Sequence, residues 1–539
     1  MEIALLSVLI MATLLALLLE LFSGRILFAP ALAALAALTR PEGQLFGIVV
    51  AGAIVFALLG DLRNDHSRSP PRSAAMLLYA LLPAVVAVVQ YLFSWVATGS
   101  GTQNGVLAKS LLYEPVLYPM ELLDEVFNNL MQMYFALLMG LEPGNYLFPG
   151  ALLLCVVGLV YLASKNVRCR IFGVASGIAL ALAMSAIATL VTWGWHYHRY
   201  FLPYFPPILV FAVVGIYALA ARSRVAWLPE ALAGFALICS LLGLPVWAAT
   251  TGGTTLQVKE QQVSLGYWIK DNLPPGARVG LNDAGAMRYY GEHPTVDLVG
   301  LTTNGLALPF RNGAGSLYEA LERMPEEKRP DFFVIYPSWF PDLVAAGVLG
   351  ERIAEFSLSD RPEVAGIVGA SEVAVYRANW NLARSGEPFR GAGTVKDAID
   401  IADVESEKQH DYEMQLPVIG LRPANVLSQE RYPDGQIVVD AGRGVPGGEE
   451  FTGTGLSEGR SLDLVMRTTG TPFTLEVRAG DEEVGTWSFE PPGNGWYDAS
   501  FTIPADFIRS DTLRVQLFPP EDAPLETHTS YHYWFVQEG

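Results

Sequence analysis

Lys109, Arg199 and Arg40 are the residues whose type and place could do chemistry. Arg199 stands in the run Gly194-Trp195-His196-Tyr197-His198-Arg199-Tyr200, between two apolar stretches. Lys109 ends Asn104-Gly105-Val106-Leu107-Ala108-Lys109, shortly after another apolar stretch, and Arg40 precedes Glu42 at the end of a third. A cation at the edge of an apolar slab needs a partner. A lipid-borne phosphate would be one, through charge-assisted hydrogen bonds. Snorkelling, or a helix-end ion pair such as Arg40 with Glu42, would be another. His196 and His198 offer two metal ligands at i, i+2, which is too few for a site.

Carboxylates that could serve as a base are Glu42, Glu114, Glu121, Asp124, Glu125 and Glu142. Glu121, Asp124 and Glu125 also fit the solvated face of an amphipathic helix. Glu114, in Tyr113-Glu114-Pro115, has no such explanation. Asp283 follows a strand-like segment and opens a helix-like one, so it caps that helix or contacts a ligand. Trp487, Trp496 and Trp534 fit either sugar stacking or a core. No dinucleotide, phosphate-loop, nucleophile-elbow or zincin motif occurs. No cofactor is evident, and a divalent cation is compatible with the pattern without being called for. No catalytic residue is assigned.

The elements that position these residues fall into two halves. Residues 1–249 carry eight apolar runs, at about 3–22, 26–39, 44–60, 74–97, 146–164, 171–193, 204–220 and 226–248. Lys and Arg number 12 and Asp and Glu 11 there, which leaves 23 basic and 43 acidic residues in the second half. The first half is therefore near neutral and the second strongly acidic, which excludes a nucleic-acid footprint. Cys155, Cys169 and Cys239 all lie in or beside apolar runs, so no disulfide framework is expected.

Nine of the twelve cations cluster at Arg25, Arg63/Arg68/Arg72, Lys165/Arg168/Arg170 and Arg222/Arg224. With eight passes these share one side, the cytoplasmic one. Met1, Arg40, Lys109, Arg199 and residues 250–539 then lie outside, in a multi-pass protein of the plasma (inner) membrane. An external N-terminus that starts directly in a helix is expected of a chain lacking upstream passes. The outer loop 98–145 contains an amphipathic stretch near 120–139, expected to lie in the interface plane.

The second half divides again. Residues 251–385 alternate helix and strand patterns, as in an α/β domain, with a helix at 256–272 ended by Leu273-Pro274-Pro275-Gly276. Residues 386–435 are polar and poor in pattern, a linker or first strands. Residues 436–539 give short alternating strands, the pattern of a β-sandwich. The expected architecture is thus a polytopic α-helical membrane domain (1–250), an extracytoplasmic α/β domain and a C-terminal β-sandwich.

Several segments together resemble the GT-C superfamily of glycosyltransferases, polytopic enzymes that use polyprenyl-phosphate sugars. They are Ala37-Leu38-Thr39-Arg40-Pro41-Glu42-Gly43, the Asn104 to Lys109 segment, His198-Arg199-Tyr200-Phe201-Leu202-Pro203-Tyr204-Phe205-Pro206, and Trp268 to Ala277 followed by Asp283-Ala284-Gly285-Ala286. The resemblance, strongest to arabinofuranosyltransferase- and mannosyltransferase-like members, implies an inverting transfer to an extracytoplasmic glycan or lipid acceptor. It implies that Lys109, Arg199 and His198 hold the donor phosphate. Arg40, Asn104, Glu114, His196, Tyr200 and Asp283 become candidate substrate contacts. The chain departs from the family in lacking the acidic residue of a first outer loop after the first helix. It would then be the C-terminal part of such an enzyme, or a non-catalytic, membrane-anchored glycan-binding or envelope-assembly subunit.

The charge pattern makes a testable statement about sidedness. Alkaline phosphatase fused at position 250 should be active and at position 168 silent; the reverse result would invert the orientation.

Overall fold

The computed structural model describes residues 2–64, 70–140, 147–223, 225, 227–358, 367–520 and 528–538. Arg68, Arg224 and Glu142 lie outside these, as do the side chains of Arg63 and Arg72. The chain forms two compact units. The first is chiefly Met1–Leu112 with Pro119–Leu256, and the second is Tyr113–Tyr118 with Gln257–Arg361 and Val368–Gly539.

All eight apolar runs are helical. The first unit comprises α1 (Glu2–Ser23), α2 (Ala29–Thr39), α3 (Pro41–Asn64), α4 (Pro70–Ala80), α5 (Leu82–Thr98), α6 (Asn104–Lys109), α7 (Pro119–Met139), α8 (Ala151–Ala163), α9 (Val167–Ala188), the single turn α10 (Trp195–His198), α11 (Phe205–Arg222) and α12 (Leu228–Val258). Five stretches are long and apolar enough to cross a membrane: Glu2–Ser23, Pro41–Gly60, Val167–Ala188, Trp195–Arg222 and Leu228–Asn272. A sixth follows if Ala74–Ala80 and Leu82–Thr98, bent by 50°, form one span. Helices α2 and α8 have 11 and 13 residues. At 1.5 Å per residue they reach roughly 16–20 Å, short of a hydrocarbon core of about 30 Å. The expected eight passes are therefore five helices of spanning length, or six.

Local chemistry fixes the helix ends. Phe28, the N-cap of α2, offers no side-chain acceptor. Glu20 supplies one from α1, accepting the amides of Phe28 and Ala29 at 2.5 and 3.0 Å, an anion placed on a helix N-terminus. Arg168 donates to the Phe22 carbonyl (2.9 Å) and so caps the C-terminal end of α1. Gly158 of α8 and Gly215 of α11 let two backbones touch. A Cβ at either would lie 2.0 Å from a carbonyl oxygen of the facing helix, the close approach that small residues permit in membrane helix pairs. Helix α7 is amphipathic as expected. Asn129, Met133 and Leu137 are buried, and Asn129 donates to the Ala188 carbonyl at the end of α9 (2.9 Å).

Residues 249–255, Ala-Thr-Thr-Gly-Gly-Thr-Thr, differ from the sequence expectation. They read as a break before a separate helix at 256–272, yet α12 runs through them and continues by a π-helical turn at Lys259–Val263 to Asn272. Helix propagation outlasts the two glycines, each a penalty of about 1 kcal/mol.

The second unit holds a mixed five-stranded sheet. Strands β1 (Val279–Leu281), β2 (Thr295–Asp297) and β3 (Phe332–Ile335) are parallel, with β1 central. Strand β5 (Glu372–Arg377) runs antiparallel to β3, and β4 (Glu351–Ser357) pairs with β5. Strands β1 and β3 are buried throughout, as parallel strands covered on both faces must be.

A sandwich follows. One sheet comprises β13 (Glu482–Phe489), β12 (Phe473–Ala479), β15 (Leu513–Phe518), β10 (Glu449–Gly453) and β7 (Glu413–Met414). The other comprises β14 (Tyr497–Ile503), β11 (Leu462–Thr468), β17 (His532–Gln537) and β6 (Thr394–Asp400). Leu464, Met466 and Phe535 of the second meet Leu475, Val477 and Val515 of the first in a shared core. A third sheet, β16 (His528–Ser530), β9 (Ile437–Val445) and β8 (Asn425–Arg431), packs Leu427, Val439 and Ala441 on Leu317 and Leu321 of the helix Ala314–Glu322. Strands β6, β7 and β8 thus arise from the stretch 386–435. Trp487, Trp496 and Trp534 are buried to within 3% and belong to cores.

The α8–α11 contact yields a comparison with opposite signs. Gly215→Ala should lower the melting temperature of the detergent-solubilised protein, by about 1–3 kcal/mol of overpacking. Gly234→Ala, on α12 with open space around it, should raise it through helix propensity, by about 1 kcal/mol. Equal shifts for the two would deny the close approach.

Candidate functional site

The loops that carry the isolated cations meet at the end of the first unit marked by the N-terminus of α1. After α9 the chain turns and pairs with the segment that follows α6. Leu111 donates to the Thr189 carbonyl (2.7 Å), Val191 donates to that of Lys109 (2.9 Å), and Ser110 and Leu190 form an antiparallel bridge. Lys109 is thereby tied to the strand of chain that leads into Arg199.

Tyr200, nearly buried at 6% exposure, is the meeting point. The Arg40 guanidinium lies 5.1 Å from its ring centroid and that of Arg199 lies 5.2 Å away. Arg199 Nη2 also reaches the Tyr200 hydroxyl at 3.4 Å. Lys109 is near enough for its charge to act on that hydroxyl.

The three cations differ in how their charge is met. Arg40 pairs with Glu2 at 2.6 Å and with Glu42 at 3.2 Å, so the ion-pair explanation holds for it. Among the described residues no carboxylate lies within salt-bridge distance of Lys109 or Arg199. Three cations and two carboxylates leave this end of the unit positive.

Backbone strain is stored beside it. His196, Tyr197 and His198 are consecutive left-handed residues, with φ of 52°, 55° and 57°. Each costs a non-glycine residue roughly 1–2 kcal/mol, and such strain clusters at functional sites. The turn packs through its rings. His198 lies 5.5 Å from Trp193 and 6.3 Å from Phe201, His196 6.2 Å from Trp195, and Tyr197 5.6 Å from Trp247. Asn104 opens α6, at the opposite end of that helix from Lys109.

Two other candidates lie in the second unit. Glu114 is clamped between Arg311 (2.5 Å) and Arg422 (3.0 Å), and Tyr118 donates to the Leu421 carbonyl (2.8 Å). Both its oxygens are engaged, so Glu114 joins Arg311 and Arg422 within the second unit. The two arginines, almost 200 and 308 residues away in sequence, left no trace in the local pattern. Asp283 does not cap through the N-cap position, which is Ala284. It accepts from Gln262 and from the Tyr336 hydroxyl (3.3 Å), and burial pushes its carboxyl above the usual range.

One group among the described residues has metal-ligand spacing, Asp400, Asp440 and His532. Its carboxylates are already met by guanidiniums, Arg323 on Asp400 (2.8 Å) and Arg467 on Asp440 (2.6 Å). The fully buried Arg467 also donates to the Tyr432 hydroxyl (2.7 Å) and stacks over Trp534 at 4.8 Å. These cations supply the charge that a metal would bring. Nearby, Glu319 and Glu322 hydrogen-bond each other, and burial raises both, Glu322 to about 7.

A family described as "Domain of unknown function (DUF8728)" matches residues 254–399. No curated protein matches the chain. Among solved structures, the chain is similar to a family 35 carbohydrate binding module from Clostridium thermocellum, at 9% identity and TM-score 0.17, over 27% of this chain and 98% of that one. It is similar to a glycoside hydrolase family 43 arabinoxylan arabinofuranohydrolase from Bacillus subtilis, at 15% identity and TM-score 0.16, over 22% of this chain and 27% of that one. It is also similar to arabinosyltransferase EmbB from Mycobacterium smegmatis, at 11% identity and TM-score 0.18, over 99% of this chain and 51% of that one. The chain thus spans about half the length of EmbB. At these scores the likenesses carry no argument about activity.

The buried acids predict a pH dependence. A carboxyl whose folded pKa is raised binds its proton more tightly folded than unfolded, so its contribution falls as pH rises. For Glu322 the loss runs from its ordinary 4.5 to about 7. Glu322→Gln should melt higher than wild type at pH 7.5 and nearly alike at pH 4.5. Parallel melting curves across that window would show that Glu322 does not titrate there.

Proposed function

We propose that the positive end of the first unit binds the phosphate of a lipid-linked sugar, and that the chain is the C-terminal part of a glycosyltransferase using a polyprenyl-phosphate donor. The observation that carries this reading is the pair of cations, Lys109 and Arg199, held on two bridged loops beside Tyr200 with no carboxylate among the described residues to meet them. Arg40, against the same tyrosine ring, has two. An uncompensated pair of positive charges at the end of apolar helices is costly unless an anion arrives, and a lipid phosphate is the anion that a bilayer surface offers.

In this reading Arg199 grips the phosphate with its planar fork, Lys109 adds a point charge, and the Tyr200 hydroxyl completes the donors. Stabilising the departing lipid phosphate would lower the barrier to sugar transfer electrostatically. His198, packed on Trp193 and Phe201, would position the turn and need not touch the phosphate. The acceptor is an extracytoplasmic glycan or lipid. The engagement of both Glu114 oxygens favours a second reading, since it removes the best candidate base. Under it the chain binds lipid-linked sugar as a non-catalytic envelope subunit.

Each charge-assisted hydrogen bond should contribute about 1.5–3 kcal/mol. Lys109→Ala and Arg199→Ala should each weaken binding of a polyprenyl-phosphate sugar by roughly tenfold to a hundredfold. Arg199→Lys should lose only part of it. Arg40→Ala should instead lower the melting temperature. If both alanine variants, folded as wild type, bind donor unchanged, the phosphate site lies elsewhere. Sugar transfer by the purified chain would separate the enzyme from the binding subunit.

A further inference from the structure

The loop between β7 and β8 carries Leu416-Pro417-Val418-Ile419-Gly420-Leu421, six residues without one polar side chain. Its tip is bare: Ile419 is 79% exposed and Val418 50%. Single exposed apolar residues are ordinary, but an uninterrupted run at a loop tip marks a contact surface.

The tip is built, not loose. The Leu421 amide donates to the Val418 carbonyl (3.2 Å), and Gly420 between them has a φ of 88°. That is a type II turn, with glycine where positive φ is needed and Ile419 at the apex. At the base, Gln415 donates to the Gly448 carbonyl (2.8 Å) and Gly444 to that of Ala424 (3.0 Å). Pro417 packs so closely on Gly447 that a Cβ there would lie 2.5 Å from it. The Tyr118 hydroxyl donates to the Leu421 carbonyl at 2.8 Å and lies 3.4 Å from that of Val418. Two carbonyls of the turn are thus met without water, as backbone entering an apolar medium requires. Arg422, the next charge in sequence, is paired with Glu114 (3.0 Å), so no bare charge follows the tip.

Tyr118 is followed directly by α7. The exposed side of α7 is an apolar stripe, Met120, Leu123, Phe127, Met131 and Phe135, at the three- and four-residue spacing of one helix face. The opposite side, with Asn129, Met133 and Leu137, is buried. In a chain with helices of membrane-spanning length, such a stripe is met by lipid.

We propose that the Val418–Ile419 tip inserts into the bilayer surface and anchors the second unit there. Continuity selects that partner. The tip is hydrogen-bonded to the residue at which the chain enters a lipid-facing helix, and it offers lipid the same apolar chemistry. The anchor stands whether or not a phosphate binds beside Tyr200.

The test uses the full chain in proteoliposomes of phosphatidylcholine and phosphatidylglycerol. The photo-crosslinking residue p-benzoylphenylalanine is placed singly at position 419, 481 or 93. Asp481 is an exposed hairpin position of the second unit, and Phe93 is exposed on α5. Irradiation should join lipid to the label at 419 and at 93, with at least about tenfold less at 481. Val418→Asp in the 419-labelled chain should lower the lipid adduct about tenfold at an unchanged melting temperature, since a carboxylate opposes insertion. The proposal is overturned if the label at 419 gives no more lipid adduct than that at 481. It is also overturned if 419 instead joins a second copy of the chain, or if folded Val418→Asp crosslinks lipid as before.

Discussion

The arrangement of the first unit depends on one guanidinium in a place where charge is expensive. Arg40 stands between α2 and α3, where the chain reverses after a single non-helical residue. It reaches Glu2 at the start of α1, Glu42 in the first turn of α3, and the face of Tyr200 ahead of α11. Three elements, α1, α3 and the turn ahead of α11, are thus fixed to one cation. Removing a partner from such a partly buried pair leaves a bare charge and costs far more than the pair contributes when intact. The geometry around Tyr200, and with it the position of Arg199, follows from where Arg40 is held.

The same rule recurs away from the apolar helices. Arg467, with 0% of its side chain exposed, is met by Asp440 and the Tyr432 hydroxyl and covered by Trp534. Glu114 is met twice by arginine, and Glu449, fully buried, accepts from His528, Ser530 and Tyr533. Lys109 and Arg199 differ from these groups in being half-buried and in having, among the described residues, no carboxylate within salt-bridge distance.

The apolar runs were legible because twenty-residue hydropathy has no competing explanation, and all eight became helices. Their lengths were not, since the ends of α2 and α8 are set by Glu20 and by Gly150 with its left-handed φ of 83°, contacts and conformations that hydropathy does not register. Strand β6 lies in the stretch 386–435 that read as a linker or first strands, and it was not singled out for a related reason. Its sequence Thr-Val-Lys-Asp-Ala-Ile-Asp shows no alternation, because Asp397, paired with His410, shares the core-facing side with Ile399, while Asp400, paired with Arg323, is buried on the opposite face. Polar residues satisfied by distant partners look like loop in one dimension. The cations of the candidate site were legible from orientation alone; that they gather around Tyr200, and that Arg40 is spent on Glu2, required the fold.

The left-handed turn at His196–His198 has a consequence for how this chain can drift. Glycine or asparagine at these three positions would relieve strain at once, since both accept positive φ at little cost. Substitutions of that kind are among the easiest routes to added stability. A lineage in which this surface had fallen out of use would be expected to take them, and would gain robustness by doing so. His-Tyr-His at 196–198 thus holds a backbone conformation that glycine or asparagine would adopt at lower cost.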